Sequence, residues 1–445
     1  MKFNTVKSSI ILTTLANLIN ANCQLSSDGN YYCSPTDAII YSNVGTSGSY
    51  NDITSMDEST CVCTSEPFKY SGSLAPFNEE LSVHFRGPLN LKQFGVYYPT
   101  TGTSLKKRDN VELDNENCIE TVSKNKHRHK RDVAVEYVEV TSTVYVNEDG
   151  EIVTNPSSAT ATTPPAIVSD VNVDETSSSS TTTNANTNNA ASSTSNPETT
   201  PSATSIVTSP GGWNRLAYYT PGSTTNCTFM NHMGGTAGSG VWSSCFGNSI
   251  SFAAANGVDG ASSPCALDDV TVKSGQEYII FSGVECSGEN GDCGYYREGI
   301  PAYHGFGGSS RIFVFEFEMP SDTVGTAYNQ DMPAIWLLNA KIPRTLQYGK
   351  ADCSCWESGC GEMDLFEILS PGSDKLISHI HDTQGGGTQD YFVRPVGNTM
   401  KAAVIFDADD RTVHIVEVED TFEATLSEST VNSWLSKAGS AAILP

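Results

Sequence analysis

Positive charge is scarce in this chain. Its 445 residues carry 25 Lys and Arg against 51 Asp and Glu, a formal net charge of −26. That balance repels polyanions, so neither nucleic acid nor an anionic membrane surface is expected as a partner. A neutral polysaccharide is compatible with it. Long apolar runs are lacking too. No stretch approaches 18 apolar residues, so no membrane span is expected. Residues 438–445 (Ala-Gly-Ser-Ala-Ala-Ile-Leu-Pro) form no tail of the length a GPI anchor needs, so no membrane anchor is expected in the mature chain. Helical periodicity is rare before residues 429–438. Cys61-Val-Cys63 and Cys353-Ser-Cys355 lack the spacing and the matching second pair of a zinc site. No metal and no other cofactor is expected.

What is present divides the chain into four parts. Residues 1–21 read as a secretory signal: Lys2 and Lys7 supply charge, an apolar region follows, and a cut after Ala21 fits. Secretion makes the thirteen cysteines disulfide partners, save one left over that is free, lost in processing or paired with another molecule. Five precede residue 132 and eight follow residue 210, so the even set can close within one domain. Residues 22–131 read as a small Cys-containing, β-rich module. It contains the alternation Leu81-Ser-Val-His-Phe85 and an extended run from 89 to Pro99. The dibasic pairs around Lys107-Arg108 and Lys130-Arg131 suit a dibasic processing protease as a partner. Residues 133–146 alternate as a strand would. The low-complexity Ser/Thr-rich linker, 132–210, has too few apolar side chains to offset chain entropy, so disorder and O-glycosylation are expected. Residues 211–445 carry many short strand candidates separated by turn signals, as in an all-β sandwich. The candidates are 277–281, 311–319, 334–338, 363–369, 376–381, 402–406 and 413–418. Asn226-Cys-Thr228 is the one N-glycosylation sequon read there.

The chemistry concentrates in residues 359–369, Gly-Cys-Gly-Glu-Met-Asp-Leu-Phe-Glu-Ile-Leu. Side chains alternate along a strand, so Glu362 and Asp364 share a face. Glu367 falls on the other face unless a β-bulge near Leu365-Phe366 returns it. Three carboxylates on one face repel, which raises at least one pKa and suits acid–base work. Two carboxylates about 5–5.5 Å apart are the machinery of a retaining glycosidase. Trp336 and Trp356 both precede the strand in sequence and are candidates to stack on sugar rings. His379 and His381 share a strand face and are candidates to contact the same substrate.

The run Pro333-Ala-Ile-Trp-Leu-Leu338 followed by Gly361-Glu-Met-Asp-Leu-Phe-Glu367 resembles the signature of family 16 glycoside hydrolases. The whole layout is similar to the fungal "target of SBF" cell-wall proteins. This resemblance implies a concanavalin-like β-jelly-roll acting on cell-wall β-glucan, endo-wise on β-1,3 linkages. It implies Glu362 as nucleophile, Glu367 as general acid/base, and Asp364 as the residue that tunes Glu362. Two alternatives share the fold: a transglycosylase joining wall glucans, and a non-catalytic glucan-binding wall protein. The Cys353–Cys360 insert before the acid strand departs from the resemblance and either rigidifies the cleft or blocks it.

Overall fold

The computed structural model describes residues 23–26, 29–100, 112–114, 212–288 and 291–445. The signal, both dibasic pairs, the linker and the strand expected at 133–146 lie outside the described residues. In chain order the principal strands are β1 (Ala38–Ser42), β2 (Gly48–Asp57), β3 (Val62–Tyr70), β4 (Leu81–Arg86) and β5 (Leu89–Pro99). They continue as β6 (Trp213–Thr220), β7 (Cys227–Asn231), β8 (Glu277–Ser282), β9 (Arg311–Glu318) and β10 (Ala334–Asn339). The last are β11 (Glu362–Glu367), β12 (Lys375–His381), β13 (Met400–Asp407), β14 (Thr412–Glu417) and β15 (Ser440–Ile443). Helix α1 spans Glu428–Leu435, and the Ser427 side chain caps it by accepting from the Thr430 N–H.

Two antiparallel-rich sheets carry the architecture. One runs β7-β8-β4-β10-β11-β12 and the other β15-β1-β14-β13-β9-β5-β6, each with short strands added. Their facing side chains form one core. Phe85 of the first sheet meets Phe315 of the second at 6.3 Å, and Phe317 of the second meets Phe366 of the first at 5.2 Å. The all-β expectation therefore holds.

The N-terminal segment does not form a module of its own. β4 lies between β8 and β10, and β5 lies between β9 and β6, so each sheet has an N-terminal strand at its middle. The reason is visible in composition. Leu81, Val83, Phe85, Leu89, Phe94 and Val96 are all fully buried, more apolar surface than a short segment can cover by itself. β1 pairs with β14 and β15 on the second sheet. The hairpin β2–β3 pairs only with itself within the sheets and is stapled outward instead. Cys61 bonds Cys245, and Cys63 bonds Cys353. The expectation that the eight later cysteines close among themselves is corrected by these two crossings. Cys286–Cys293 and Cys355–Cys360 do close locally, and Cys227 is a buried free thiol. In the Asn226 sequon, the amide nitrogen donates to the Leu216 carbonyl at 3.3 Å, and Thr228 is buried.

Candidate active site

β11 holds the three acids, and its pairing explains how they share a face. Ala334 opposes Glu367, Ile335 opposes Phe366, and Trp336 opposes Asp364, so Leu365 has no partner on β10. The pairing with β12 shifts at the same place. This is the bulge the spacing predicts. It sends both Leu365 and Phe366 into the core, where both are 0% exposed, and returns Glu367 to the side of Glu362 and Asp364. Two glycines bring the chain to this strand in left-handed backbone: Gly359 at φ 87° and Gly361 at φ 111°. At Gly361 a Cβ would lie 3.1 Å from the Phe77 ring. Any other residue there is strained and crowded.

Each acid has its own partner. The Trp356 indole N–H donates to Glu362 Oε2. His381 Nε2 lies 2.9 Å from Asp364 Oδ2. Arg86 Nη2 donates to Glu367 Oε1 at 3.0 Å, and its Nε is held by the Met332 carbonyl at 2.8 Å. Below the row, Ser378 Oγ donates to the Asp364 carbonyl and accepts from the Tyr41 hydroxyl across the core. Tyr41 and Arg86 both come from the N-terminal segment. The acid row is thus built by residues from both ends of the described chain.

Burial dominates the electrostatics. It pushes the Glu362 carboxyl up to about 8, with Asp364 adding repulsion while the Trp356 bond pulls down. Burial and Asp364 push Glu367 up to about 7 against the pull of Arg86. The hydrogen bond to Asp364 raises His381, favouring an imidazolium that offsets the row's charge. Burial lowers His379. Glu362 and Glu367 are thus both held protonatable to near neutral pH.

The flanking residues sort by exposure. Trp356 is 44% exposed; the Cys355–Cys360 bridge anchors its loop, and its ring lines the site. It borders an open pocket of about 460 Å³, together with His379, His381, Asp382 and Gly386. Trp336 is different. It is 5% exposed and stacked on His84 at 5.2 Å, so it forms the floor of the site rather than an open platform. The expectation that Trp336 stacks openly on sugar is corrected by this burial. The Cys353–Cys360 insert ties the loop down on both sides, since Cys353 bonds Cys63.

Sequence reasoning missed Arg86, His84 and Ser82. Arg86 is 281 positions from Glu367, and nothing local ties the two together. One signal was present: in β4 the residues Ser82, His84 and Arg86 alternate with Leu81, Val83 and Phe85, giving a polar face on a buried strand. Glu277 was missed as well. It pairs with Arg86 across β8 and β4 and so lies on the same face. Among the described residues, Cys286, Cys293 and His304 cluster within reach of one metal ion, but the two sulfurs are joined in a disulfide.

Comparison with known proteins agrees with this assembly. The family description "Cell wall protein YJL171C/Tos1, C-terminal" matches residues 211–434, and its N-terminal counterpart matches residues 37–99. A Saccharomyces cerevisiae protein named "probable circularly permuted 1,3-beta-glucanase TOS1" is 63% identical over 98% of this chain and 97% of its own length. A Candida albicans protein of the same name is 49% identical over the full length of both. An Arthroderma benhamiae protein named "probable circularly permuted 1,3-beta-glucanase" is 34% identical over 96% of each. No solved structure matches the chain. With both family descriptions matched in chain order and near-complete coverage of these relatives, the chain belongs to the YJL171C/Tos1 family of cell-wall proteins.

Proposed function

We propose that this protein is a secreted cell-wall glycoside hydrolase that cleaves β-1,3-glucan internally, with retention of configuration, on a jelly-roll sandwich. The observation that carries the reading is the acid row itself. A bulge at Leu365 brings Glu362, Asp364 and Glu367 to one face, with Glu362 and Glu367 held protonatable near neutral pH. The relatives' names support glucan as the substrate class. The strand order supports a permuted sandwich, since β4 and β5 lie near the start of the chain yet in mid-sheet.

The chemistry follows from the partners. Arg86 occupies Oε1 of Glu367 and leaves the other oxygen to carry a proton. Glu367 gives that proton to the glycosidic oxygen as the bond to the anomeric carbon breaks. With the pair's one remaining proton on Glu367, Glu362 attacks that carbon as a carboxylate from the opposite face and forms a glycosyl ester. Trp356 holds Glu362 in place for the attack. Glu367, now a carboxylate steadied by Arg86, takes a proton from water. The water oxygen attacks the anomeric carbon and the ester bond breaks, restoring Glu362. His381 limits the repulsion through Asp364.

The test is product analysis with linear β-1,3-gluco-oligosaccharides. Shorter products are expected, and activity should be highest between about 7 and about 8 and fall on both sides, because below that window both glutamates are protonated and above it neither is. Longer products would replace hydrolysis with transglycosylation. Binding without turnover on β-1,3-, β-1,6- and mixed-linkage glucans would leave a wall-binding protein and sink the enzyme reading.

A further inference from the structure

An exposed aromatic ring stands across the sheet from Trp356. Tyr348 is 56% exposed, yet its hydroxyl is fixed. It donates to Glu277 Oε2 at 2.6 Å and accepts from Gln347 Nε2 at 3.0 Å. His232 meets the ring edge-on at 5.4 Å. The charges of Arg86 and Glu362 act on the hydroxyl. An exposed ring normally turns freely, and stacking a sugar on it would cost that freedom. Here the freedom is already lost, so the face is presented ready for a ligand. Trp356 has the same design: an exposed ring with its polar atom tied to an acid, Glu362.

The two rings lie on opposite sides of the acid row. Glu277 belongs to β8, and β4 and β10 separate β8 from β11. At ~4.8 Å per strand, the anchors are roughly 14 Å apart across the sheet. We propose that Tyr348 is a second sugar-stacking platform, so that a β-glucan chain lies across the carboxylates from Trp356 to Tyr348, with Glu277 as its positioning residue. This rests on the glucan-acting reading above and deepens it. A chain held on both sides of the acids is cut at an internal bond. Short oligosaccharides fill only one side, so Tyr348 acts on long substrates selectively.

The test is calorimetric titration of the full chain carrying Glu362→Gln, which prevents turnover, with a β-1,3-linked trisaccharide and hexasaccharide. Adding Tyr348→Ala should weaken the hexasaccharide about tenfold, the worth of one good ring contact. The trisaccharide should change far less. Tyr348→Phe keeps the ring but frees it from Glu277, and should lose hexasaccharide affinity by a few-fold, less than the alanine variant. Tyr348→Leu, which lacks a flat ring but preserves bulk, should behave like the alanine variant and covers the case in which that variant does not fold. Hexasaccharide affinity unchanged in Tyr348→Ala or Tyr348→Leu would overturn the platform while leaving the glucan reading intact. A parent that binds neither oligosaccharide would overturn both.

Discussion

Residues 211–445, expressed alone, should fail to fold. They include the acid strand and most of both sheets, so by sequence they pass for a complete domain. The truncation takes β4 and β5 out of the middle of those sheets. Without them, β8 and β10 lose their shared partner, and so do β9 and β6. Four strand edges then face water unpaired, an invitation to aggregate. The core loses Leu81, Val83, Phe85, Leu89, Leu91, Phe94 and Val96, each at most 2% exposed. At ~1.5–3 kcal/mol per buried side chain, the loss is on the order of 10–20 kcal/mol, which matches or exceeds the entire stability of a typical domain. The check is circular dichroism and a thermal melt of 211–445 beside the full chain. Co-expression with residues 22–100 should restore a cooperative melt, with the halves joined by disulfides through Cys61 and Cys63. A cooperative melt from 211–445 alone would overturn the account of the fold.

Replacing Glu362 by Gln should abolish turnover and stabilise the protein. Removing the nucleophile of a retaining glycosidase should lower kcat about 10³-fold or more. The same change removes a buried charge. An unfolded Glu titrates near ~4.3, whereas burial holds Glu362 up at about 8. Between those values the folded chain keeps a proton that the unfolded chain releases. Wild-type stability therefore falls as pH rises through that window. The amide introduced by Glu362→Gln does not titrate, and its oxygen can still accept from Trp356. The variant should melt several degrees above wild type at pH 8. The gap should close near pH 4. Melts at both pH values, beside the activity assay, check both halves of the expectation. Equal melting temperatures at pH 8 would mean that Glu362 is not held against its charge.

The sequence spoke clearly where the physics is local. Alternation and turn residues placed β4, β5 and β8 through β14, because side-chain period and turn chemistry act over a few residues, but not β1, β2, β3, β6 or β7. The bulge was legible for the same reason: five positions between Glu362 and Glu367 need one extra residue to share a face. Partnership across long separations left no such trace. Tyr41, Ser82, His84 and Arg86 read as parts of a separate module, since pairing between residue 86 and residue 334 or 367 is set by three-dimensional packing. The crossed disulfides were hidden similarly, because cysteine spacing does not fix connectivity. Trp336 and Trp356 looked alike as residue types. Their roles separate only by exposure, 5% against 44%.

Arg86 links the chemistry to the folding. A charge supplied by β4 completes an acid on β11, 281 positions later in the chain. Folding of the two sheets and assembly of the acid row are therefore one event, and a variant that loosens β4 should lose both together.

The most direct measurement is covalent trapping. Full-length protein would be incubated with a 2-deoxy-2-fluoro-β-glucoside bearing a good leaving group, digested and mapped by mass spectrometry. Retention through Glu362 predicts one glycosyl ester on the peptide that contains residues 359–369, placed at Glu362, with loss of activity in proportion to labelling. A label on Glu367, or full turnover of glucan with no label on any carboxylate of β11, would contradict it.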